Sequence, residues 1–372
     1  MLDSLRRILI LCRKELLAVL KDPRSRVILF LPSIMQSLIF GYAATYDLND
    51  VPYAVLDQDR STASRNLIAE FEGSGIFRRR AELQSPRQIA SVINNKDALL
   101  VLHIGQDFER QLAAGQTALV QVVLDGRNSN TAGTASGYIR TVVERFTEKW
   151  QQARGGTPPP IRIETRAWYN PNLETRWNMI PSLIAALSML QTLMLTALSV
   201  AREREQGTFD QLLVTPLRPG EVMAGKALPS IFIGLVQATV IMLVAMLWFH
   251  IPLEGSLVTL YTGLLTFTIA SVGIGLAISA FAANMQQAML YTFVLLMPLM
   301  LLSGLTSPIA NMPVPMQYMT LINPLRYAIE IVQRVYLEGV GLTWILNDLW
   351  PLALIALVTL PTAAWLFRHR LV

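Results

Sequence analysis

The chain has 372 residues, of which 52% are hydrophobic and only 15% are charged. Soluble domains average about 25% charged residues, so this composition excludes an ordinary soluble protein and favours a membrane protein. The one cysteine, Cys12, excludes an internal disulfide, and three scattered histidines, His103, His250 and His369, argue against a metal site.

Residues 1–26 combine basic side chains with apolar positions that recur every three or four residues. This spacing predicts an amphipathic helix on the inner membrane surface. Residues 27–46 follow without a charge and are long enough to span the membrane. A cleavable signal peptide is the competing interpretation, but the leading segment is long and contains Asp3, Glu15 and Asp22. We therefore predict a retained first span at 27–46.

Residues 47–176 change to short alternating apolar stretches among charges and predict a folded α/β domain inserted between spans. Strands are predicted at 52–56, 99–104, 119–124 and 161–167, and helices at 62–71, 86–93, 108–114 and 135–150. The tract Arg78-Arg79-Arg80 could contact anions or nucleic acid. It has no interleaved aromatic residues to stack on bases, so we favour a solvated face and expect no nucleic-acid partner.

The remaining apolar runs predict five more spans, which makes six in total. They lie at 177–201, 227–249, 257–283, 285–307 and 349–367. Basic residues concentrate at the N-terminus, in the loop 202–226 and in the tail 368–372. The positive-inside rule places these three regions in the cytoplasm and the 47–176 domain outside the cell membrane. The sequence thus predicts an α-helical polytopic membrane protein of the cell (inner) membrane with an inserted extracytoplasmic α/β domain.

Several features of the predicted spans bear on packing. The fourth span carries Ser271, Gly275 and Ser279 at four-residue intervals, a ridge of small residues that lets another helix approach closely, within the bundle or across a dimer. Pro181 and Pro298 are candidate hinges.

The segment 308–348 begins rich in proline and glycine, which predicts an extracytoplasmic or re-entrant segment. It then contains an amphipathic helix that starts at Asn323 and Pro324. Four charged residues follow along this helix at four-residue steps: Arg326, Glu330, Arg334 and Glu338.

The loop 202–226 is predicted to contain a short capped helix between the second and third spans. Gly207 allows a sharp turn, Thr208 can cap a short helix, and Gln211 can complete a capping box. The apolar residues of this helix share one face: Phe209, Leu212 and Leu213. Pro216 ends the helix. Because so short a helix is unstable alone, it needs a surface on both sides.

The end of this loop matches the start of a phosphate-binding motif at 220–226. Ala227 occupies the position where a Ser or Thr hydroxyl should meet Mg²⁺, and no strand precedes the motif. We therefore expect this chain to bind no cofactor, and we interpret Lys226 as a cytoplasmic anchor of the third span. The spans are expected to hold no buried acid or base, and no catalytic machinery is visible.

Two motifs in the chain resemble the signature of ABC-2-type permeases. One is 202–216, RERE followed by QGTFDQLLVTP, together with Gly225 and Lys226, and the other is 323–330, NPLRYAIE, together with 337–339. The large domain after the first span is similar to that of the drug-exporter-like branch.

The resemblance implies a coupling helix that sits against a separate ABC ATPase, which would bind ATP and Mg²⁺. The ATPase-coupling residues would be Arg202, Glu203, Arg204, Glu205, Gly207, Thr208, Phe209, Asp210, Gln211, Leu212 and Leu213. The charges at 202–205 would pair with each other, with the first helix or with the ATPase. The resemblance also implies a second permease, identical or paralogous, and efflux of multidrug or amphipathic compounds. Membrane lipids and a periplasmic adaptor are further expected partners.

Two other functional classes stay open at this point. A membrane-anchored sensor would use the 47–176 domain to bind a ligand, but the cytoplasmic loop of 25 residues leaves little room for an output domain. A membrane-embedded transferase should place acidic or histidine residues at membrane depth, and the sequence shows none.

Overall fold

The computed structural model describes residues 2–21, 23–43, 48, 50–127, 129–153, 174–207 and 219–370. The chain divides into two compact units. A helical unit is formed by Met1–Thr45 together with Ala167–Val372, and an α/β unit is formed by Tyr46–Arg166. The polar region between the first and second predicted spans therefore has a hydrophobic core of its own.

The helical unit begins with α1 (Leu2–Lys21) and α2 (Pro23–Ala43). In α1, Leu11 is buried, whereas Leu5 and Ile10 are exposed. This division agrees with an amphipathic helix that packs on the protein along one face and offers apolar side chains to a membrane surface on another.

The α/β unit contains four strands and four helices in alternation. They are β1 (Val51–Asp57), α3 (Thr62–Gly73), β2 (Phe77–Glu82), α4 (Arg87–Asn94), β3 (Leu100–Ile104), α5 (Phe108–Ala113), β4 (Val120–Leu124) and α6 (Ser129–Ala153). The sheet order is β2-β1-β3-β4, with β1 parallel to β2 and β3, and β4 antiparallel to β3. Tyr53, Phe71 and Phe77 cluster in its core.

Strand β2 differs from the sequence prediction, which assigned the tract Arg78-Arg79-Arg80 to a solvated face without a strand. The tract is exposed, but it forms an edge strand beside β1. Arg78 pairs with Asp50 at 3.3 Å, and Arg79 pairs with Glu72 at 3.0 Å. The three successive arginines give no apolar alternation, so the sequence pattern does not indicate a strand here. A strand forms nevertheless, because an edge strand needs few buried side chains. The strand predicted at 161–167 lies outside the described residues.

The rest of the helical unit follows the α/β region in sequence. Its helices are α7 (Thr175–Glu205), α8 (Pro219–Leu247), α9 (Leu257–Phe281), α10 (Met285–Leu301), α11 (Val314–Thr320), α12 (Pro324–Glu338) and α13 (Leu342–Arg370). A short 3-10 helix, Ile309–Asn311, precedes α11.

Four described helices are long and apolar enough to cross a membrane, namely Thr175–Glu205, Gly220–Leu247, Leu257–Phe281 and Leu342–His369. The predicted first and fifth spans coincide with shorter apolar helical stretches, Leu29–Tyr42 and Met285–Leu301. The structure is thus mostly helical and apolar, as expected for a membrane protein. A count of six spans stays a prediction.

The helices next to the 202–226 loop extend further than the predicted spans. Helix α7 continues to Glu205, and α8 already begins at Pro219. The charges assigned to a loop therefore belong partly to helix ends. Basic residues in the last turn of α7 and Glu221 in the first turn of α8 have the signs that the helix dipoles favour.

The ridge of small residues on α9 is used within the chain. Ser279 donates a hydrogen bond from its hydroxyl to the carbonyl oxygen of Ala197 on α7, at 2.8 Å. A Cβ atom at Gly275 would overlap the Thr196 side chain of α7. The hydroxyl of Ser271 bonds back to its own helix at Phe267. Close packing of α9 on α7 therefore depends on small side chains.

Pro181 and Pro298 lie inside α7 and α10, and neither interrupts its helix. Their role as hinges stays a prediction.

Candidate functional site

The last turn of α7 carries the charged residues that the sequence singles out. Arg202, Glu203, Arg204 and Glu205 are helical, and Gly207 follows them with a φ of +68°. This left-handed conformation suits glycine and ends the helix. Six of the predicted coupling residues lie outside the described residues: Thr208, Phe209, Asp210, Gln211, Leu212 and Leu213.

Glu203 forms a buried ion pair with Lys226, which lies at the start of α8. The Nζ atom of Lys226 is 2.7 Å from Oε2 of Glu203, and the two side chains are 0% and 9% exposed. Lys226 also donates to the carbonyl oxygen of Ser199 on α7, at 3.3 Å. The pair therefore fastens the end of α7 to the beginning of α8. The sequence analysis assigned Lys226 only the role of a cytoplasmic anchor of the third span, which stays a prediction. The burial of Glu203 and Lys226, just outside the predicted second and third spans, was not expected.

Helix α1 completes this ionic cluster. Oε1 of Glu15 lies 3.4 Å from Nζ of Lys226, and Nζ of Lys14 lies 3.3 Å from Oε1 of Glu203. Two cations and two carboxylates thus balance one another, which offsets the cost of removing charge from water. We call Lys14, Glu15, Glu203 and Lys226 the charged junction.

A second set of contacts holds the preceding part of α1 against α8. Glu221 accepts a hydrogen bond from the Ser4 hydroxyl at 2.6 Å and pairs with Arg7 at 3.7 Å. Between the two polar sets, Leu11 lies so close to Gly225 that a Cβ atom there would overlap it. One face of α1 is therefore attached to α8 by an apolar contact flanked by polar ones.

The next two residues of α7 hold the turn between α9 and α10. Arg204 donates from Nη1 to the carbonyl oxygen of Ala282 at 3.0 Å, and so satisfies an acceptor at the end of α9. Oε2 of Glu205 accepts a hydrogen bond from the backbone N–H of Met285 at 2.9 Å, at the start of α10. Asn284 caps the same helix through the N–H of Gln287.

Three consecutive residues of one helix end thus contact different parts of the bundle. Glu203 reaches α1 and α8, Arg204 reaches the end of α9, and Glu205 reaches the start of α10. The end of α7 is thus linked by side-chain contacts to four other helices.

Lys226 is not placed as the lysine of a phosphate-binding loop. It lies inside α8 rather than in a loop after a strand, and its ammonium group is buried between carboxylates. Sequence reasoning overlooked Lys14, Glu15 and Glu221 as partners. The sequence signal that could have indicated these contacts is the spacing of Ser4, Leu11 and Glu15, which puts them on one face of α1. In the structure this face contacts residues 221–226 of α8.

Comparison with known proteins identifies the family of the chain. The model of the ABC-2 family transporter protein family matches residues 27–365. The chain is 40% identical to the probable multidrug ABC transporter permease YbhR of Escherichia coli (strain K12), over 98% of this chain and 99% of that protein. It is 31% identical to the probable multidrug ABC transporter permease YbhS of the same strain, over 90% of each chain.

A third relative, the inner membrane transport permease YhhJ of Escherichia coli (strain K12), is 28% identical over 93% of this chain and 92% of its own length. Together with the apolar helices, these relatives identify an integral membrane protein. Because the family match covers almost the whole chain, the protein belongs to the ABC-2 family of transporter permeases.

Proposed function

We propose that this chain is the membrane-pathway subunit of an ABC exporter and that a separate ATPase drives it through the loop 202–226. The observation that carries this proposal is that Glu203, Arg204 and Glu205, at the start of this loop, contact different helices of the bundle. An ATPase that moved the loop would pull on α7 and, through the ion pairs and hydrogen bonds described above, on α1, α8, α9 and α10. ATP and Mg²⁺ would bind to the partner, and this chain would have no catalytic role.

The proposal includes six spans, with α2 as the first and α10 as the fifth. The N-terminus, the loop 202–226 and the C-terminus are on the cytoplasmic side, and the α/β unit is on the outer side. This orientation follows from the excess of basic residues on the three cytoplasmic regions. The cluster of ion pairs between α1 and α8 supports it, because such charges suit the cytoplasmic interface better than the membrane interior.

The permease would work as a dimer, with an identical or paralogous chain, and would expel amphipathic compounds between its second and fifth spans. Two relatives named as probable multidrug permeases support this class of cargo. Binding energy from ATP-driven closure would shift the dimer between inward-open and outward-open states. A periplasmic adaptor would extend the route beyond the membrane.

The test uses the permease reconstituted with its ATPase in proteoliposomes. Gly207→Pro and the double variant Glu203→Ala/Glu205→Ala are compared with wild type for drug-stimulated ATP hydrolysis and for export of a fluorescent amphiphile. We expect both variants to lose export and drug stimulation while basal hydrolysis continues. Arg13→Gln, which removes an exposed charge one residue before Lys14, is the matched control. Unchanged export and stimulation in both test variants would contradict the coupling role.

A further inference from the structure

A second charged region lies along α12, far along the chain from the charged junction. One face of this helix is buried against the bundle, where the Tyr336 hydroxyl donates to the carbonyl oxygen of Ile251 at 3.2 Å. On another face, Arg326, Glu330 and Arg334 line a pocket of about 420 Å³, to which the segment between α10 and α11 contributes Ser303 and Ile309. This volume is within the range of about 300–1,000 Å³ typical of small-molecule sites. We call it the α12 pocket.

The two ends of the α12 pocket differ in how their charges are satisfied. At one end, Arg334 pairs with Asp348 at 3.2 Å and with Glu338 at 3.9 Å. At the other end, the Nε atom of Arg326 is buried without a hydrogen-bond partner among the described residues. The side chain of Glu330 forms no hydrogen bond or ion pair within the described part of the chain and is exposed to the pocket.

Arg326 and Glu330 are one helical turn apart, which places their Cβ atoms about 6 Å from each other. The guanidinium of Arg326 donates through Nη1 to the Thr320 hydroxyl and lies over the ring of Tyr327, rather than pairing with Glu330. Arg326 therefore has an unused donor, and Glu330 presents to the pocket a carboxylate without a protein partner among the described residues. A ligand that carries an acidic oxygen and an ammonium group close together would supply a partner to each.

Helix α11, whose Thr320 contacts Arg326, gives an apolar surface next to this end of the pocket. Met316 and Met319 of α11 and Ile322, which follows the helix, are 47%, 59% and 75% exposed. A ligand with its charged groups on Arg326 and Glu330 can thus lay an apolar tail along α11.

We propose that the α12 pocket binds the zwitterionic head group of an amphiphile, with its acidic oxygen on Arg326 and its ammonium on Glu330. Two sources share this chemistry, a membrane phospholipid such as phosphatidylethanolamine and a zwitterionic cargo compound. The site itself requires only that the chain is a membrane protein. Its use by cargo rests on the proposed function.

The binding test uses purified permease without any ATPase, so its outcome does not depend on the proposed function. Dioleoyl-phosphatidylethanolamine and dioleoyl-phosphatidylglycerol are titrated separately into the detergent-solubilised protein, and bound lipid is measured by native mass spectrometry. Both lipids carry a phosphate, but only the first has an ammonium group. We expect tighter binding of phosphatidylethanolamine, weakened by about tenfold to a hundredfold in Glu330→Gln and in Arg326→Gln. Phosphatidylglycerol binding should respond only to Arg326→Gln.

Glu338→Gln is the matched control at the opposite end of the same helix, where the carboxylate already faces Arg334. It should leave phosphatidylethanolamine binding unchanged. If Arg326→Gln unfolds because it loses the Thr320 contact, Glu330→Gln alone decides the outcome. The Glu330 side chain forms no hydrogen bond or ion pair among the described residues, so this variant should fold. Equal binding of the two lipids by wild type, or unchanged binding in Glu330→Gln, would overturn the proposal. An equal loss in Glu338→Gln would overturn the placement of the head group.

A second experiment decides whether the natural ligand is a membrane lipid or a cargo compound. It uses dodecylaminopropionate, a zwitterionic amphiphile that is not a lipid. If the compound displaces phosphatidylethanolamine from wild type, the head-group site is supported. The lipid that Glu330→Gln still binds elsewhere should not be displaced. In proteoliposomes containing the ATPase, ATP-dependent export of this compound that is lost in Glu330→Gln assigns the site to cargo. Displacement without export assigns it to membrane lipid. Failure to displace the lipid at any concentration would count against a shared zwitterion site.

Discussion

The Nζ atom of Lys226 lies 2.7 Å from Oε2 of Glu203, and none of the Lys226 side chain is exposed. The two residues are 23 positions apart in sequence, at the facing ends of α7 and α8. The segment between them contains the last residues of α7, the first turns of α8 and the residues to which we assign contact with the ATPase. A motion of those contact residues therefore acts across an ion pair that resists separation of the two helices.

Lys226→Met should destabilise the protein strongly. The substitution leaves Glu203 and Glu15 without their shared cation, and breaking a buried ion pair on one side costs about 3–5 kcal/mol. Thermal unfolding of the purified protein, followed by tryptophan fluorescence, measures the loss. Arg13→Gln on the exposed side of α1 should change the melting temperature little.

The double variant Lys226→Met/Glu203→Gln separates the ion pair from simple loss of packing. Removing both charges should restore part of the stability that Lys226→Met loses, because the buried carboxylate of Glu203 no longer needs a cation. A double variant as unstable as the sum of the two single variants would show that the pair does not act as a unit.

Glu205→Ala should weaken the connection between α7 and the start of α10. It removes the acceptor for the backbone N–H of Met285, a cap-like bond worth about 1 kcal/mol. We expect normal folding, normal basal ATP hydrolysis and reduced export in the reconstituted complex. Gln206→Ala, at the adjacent exposed position, is the control and should export normally. Equal export by Glu205→Ala and wild type would remove Glu205 from the coupling route.

Hydropathy was enough to predict the apolar helices and to separate them from the region that forms the α/β unit. It could not predict the charged junction, because Glu15, Glu203 and Lys226 come from three distant segments and each looks like an ordinary interfacial charge. The predicted pairing of 202–205 with the first helix is seen for Glu203 and Lys14. The helical extension of α7 and α8 was missed because charges at helix ends were read as a loop.

Gly275→Ala should destabilise the contact between α9 and α7. The added Cβ atom would overlap Thr196, and overpacking in a close helix contact costs about 1–3 kcal/mol. Gly220→Ala is the matched control, because nothing lies within 4 Å of a Cβ atom at that position in α8. Melting temperatures of the two purified variants give the comparison. A Gly275→Ala variant as stable as Gly220→Ala would show that α9 can shift without cost.

Acid stability of the α/β unit should depend on Asp125. The Arg127 guanidinium, 2.6 Å from its carboxylate, lowers the pKa of Asp125 to about 2. Because the folded pKa lies below the unfolded value of about 3.9, the stabilisation is complete above pH 4 and is lost as the pH falls towards 2. Arg127→Gln should raise the pKa of Asp125 and remove this stabilisation.

Melting temperatures of the full-length protein between pH 7 and pH 2.5 test this expectation. The difference between wild type and Arg127→Gln should be largest near neutral pH and should shrink as the pH falls below 4. A difference that is constant over the whole range would mean that Arg127 acts through its hydrogen bond to the carbonyl oxygen of Ile93, and not through the charge of Asp125.

The side of the membrane on which α7 ends tests the account most directly. Gln206→Cys is placed in a Cys12→Ala background, which removes the one natural cysteine, and is treated with a membrane-impermeant maleimide. We predict labelling in inside-out vesicles, protection there by the bound ATPase, and no labelling in cells stripped of any outer envelope. Leu119→Cys, at an 80% exposed position of the α/β unit, should label in those cells. Labelling of Gln206→Cys from outside the cell would contradict the account.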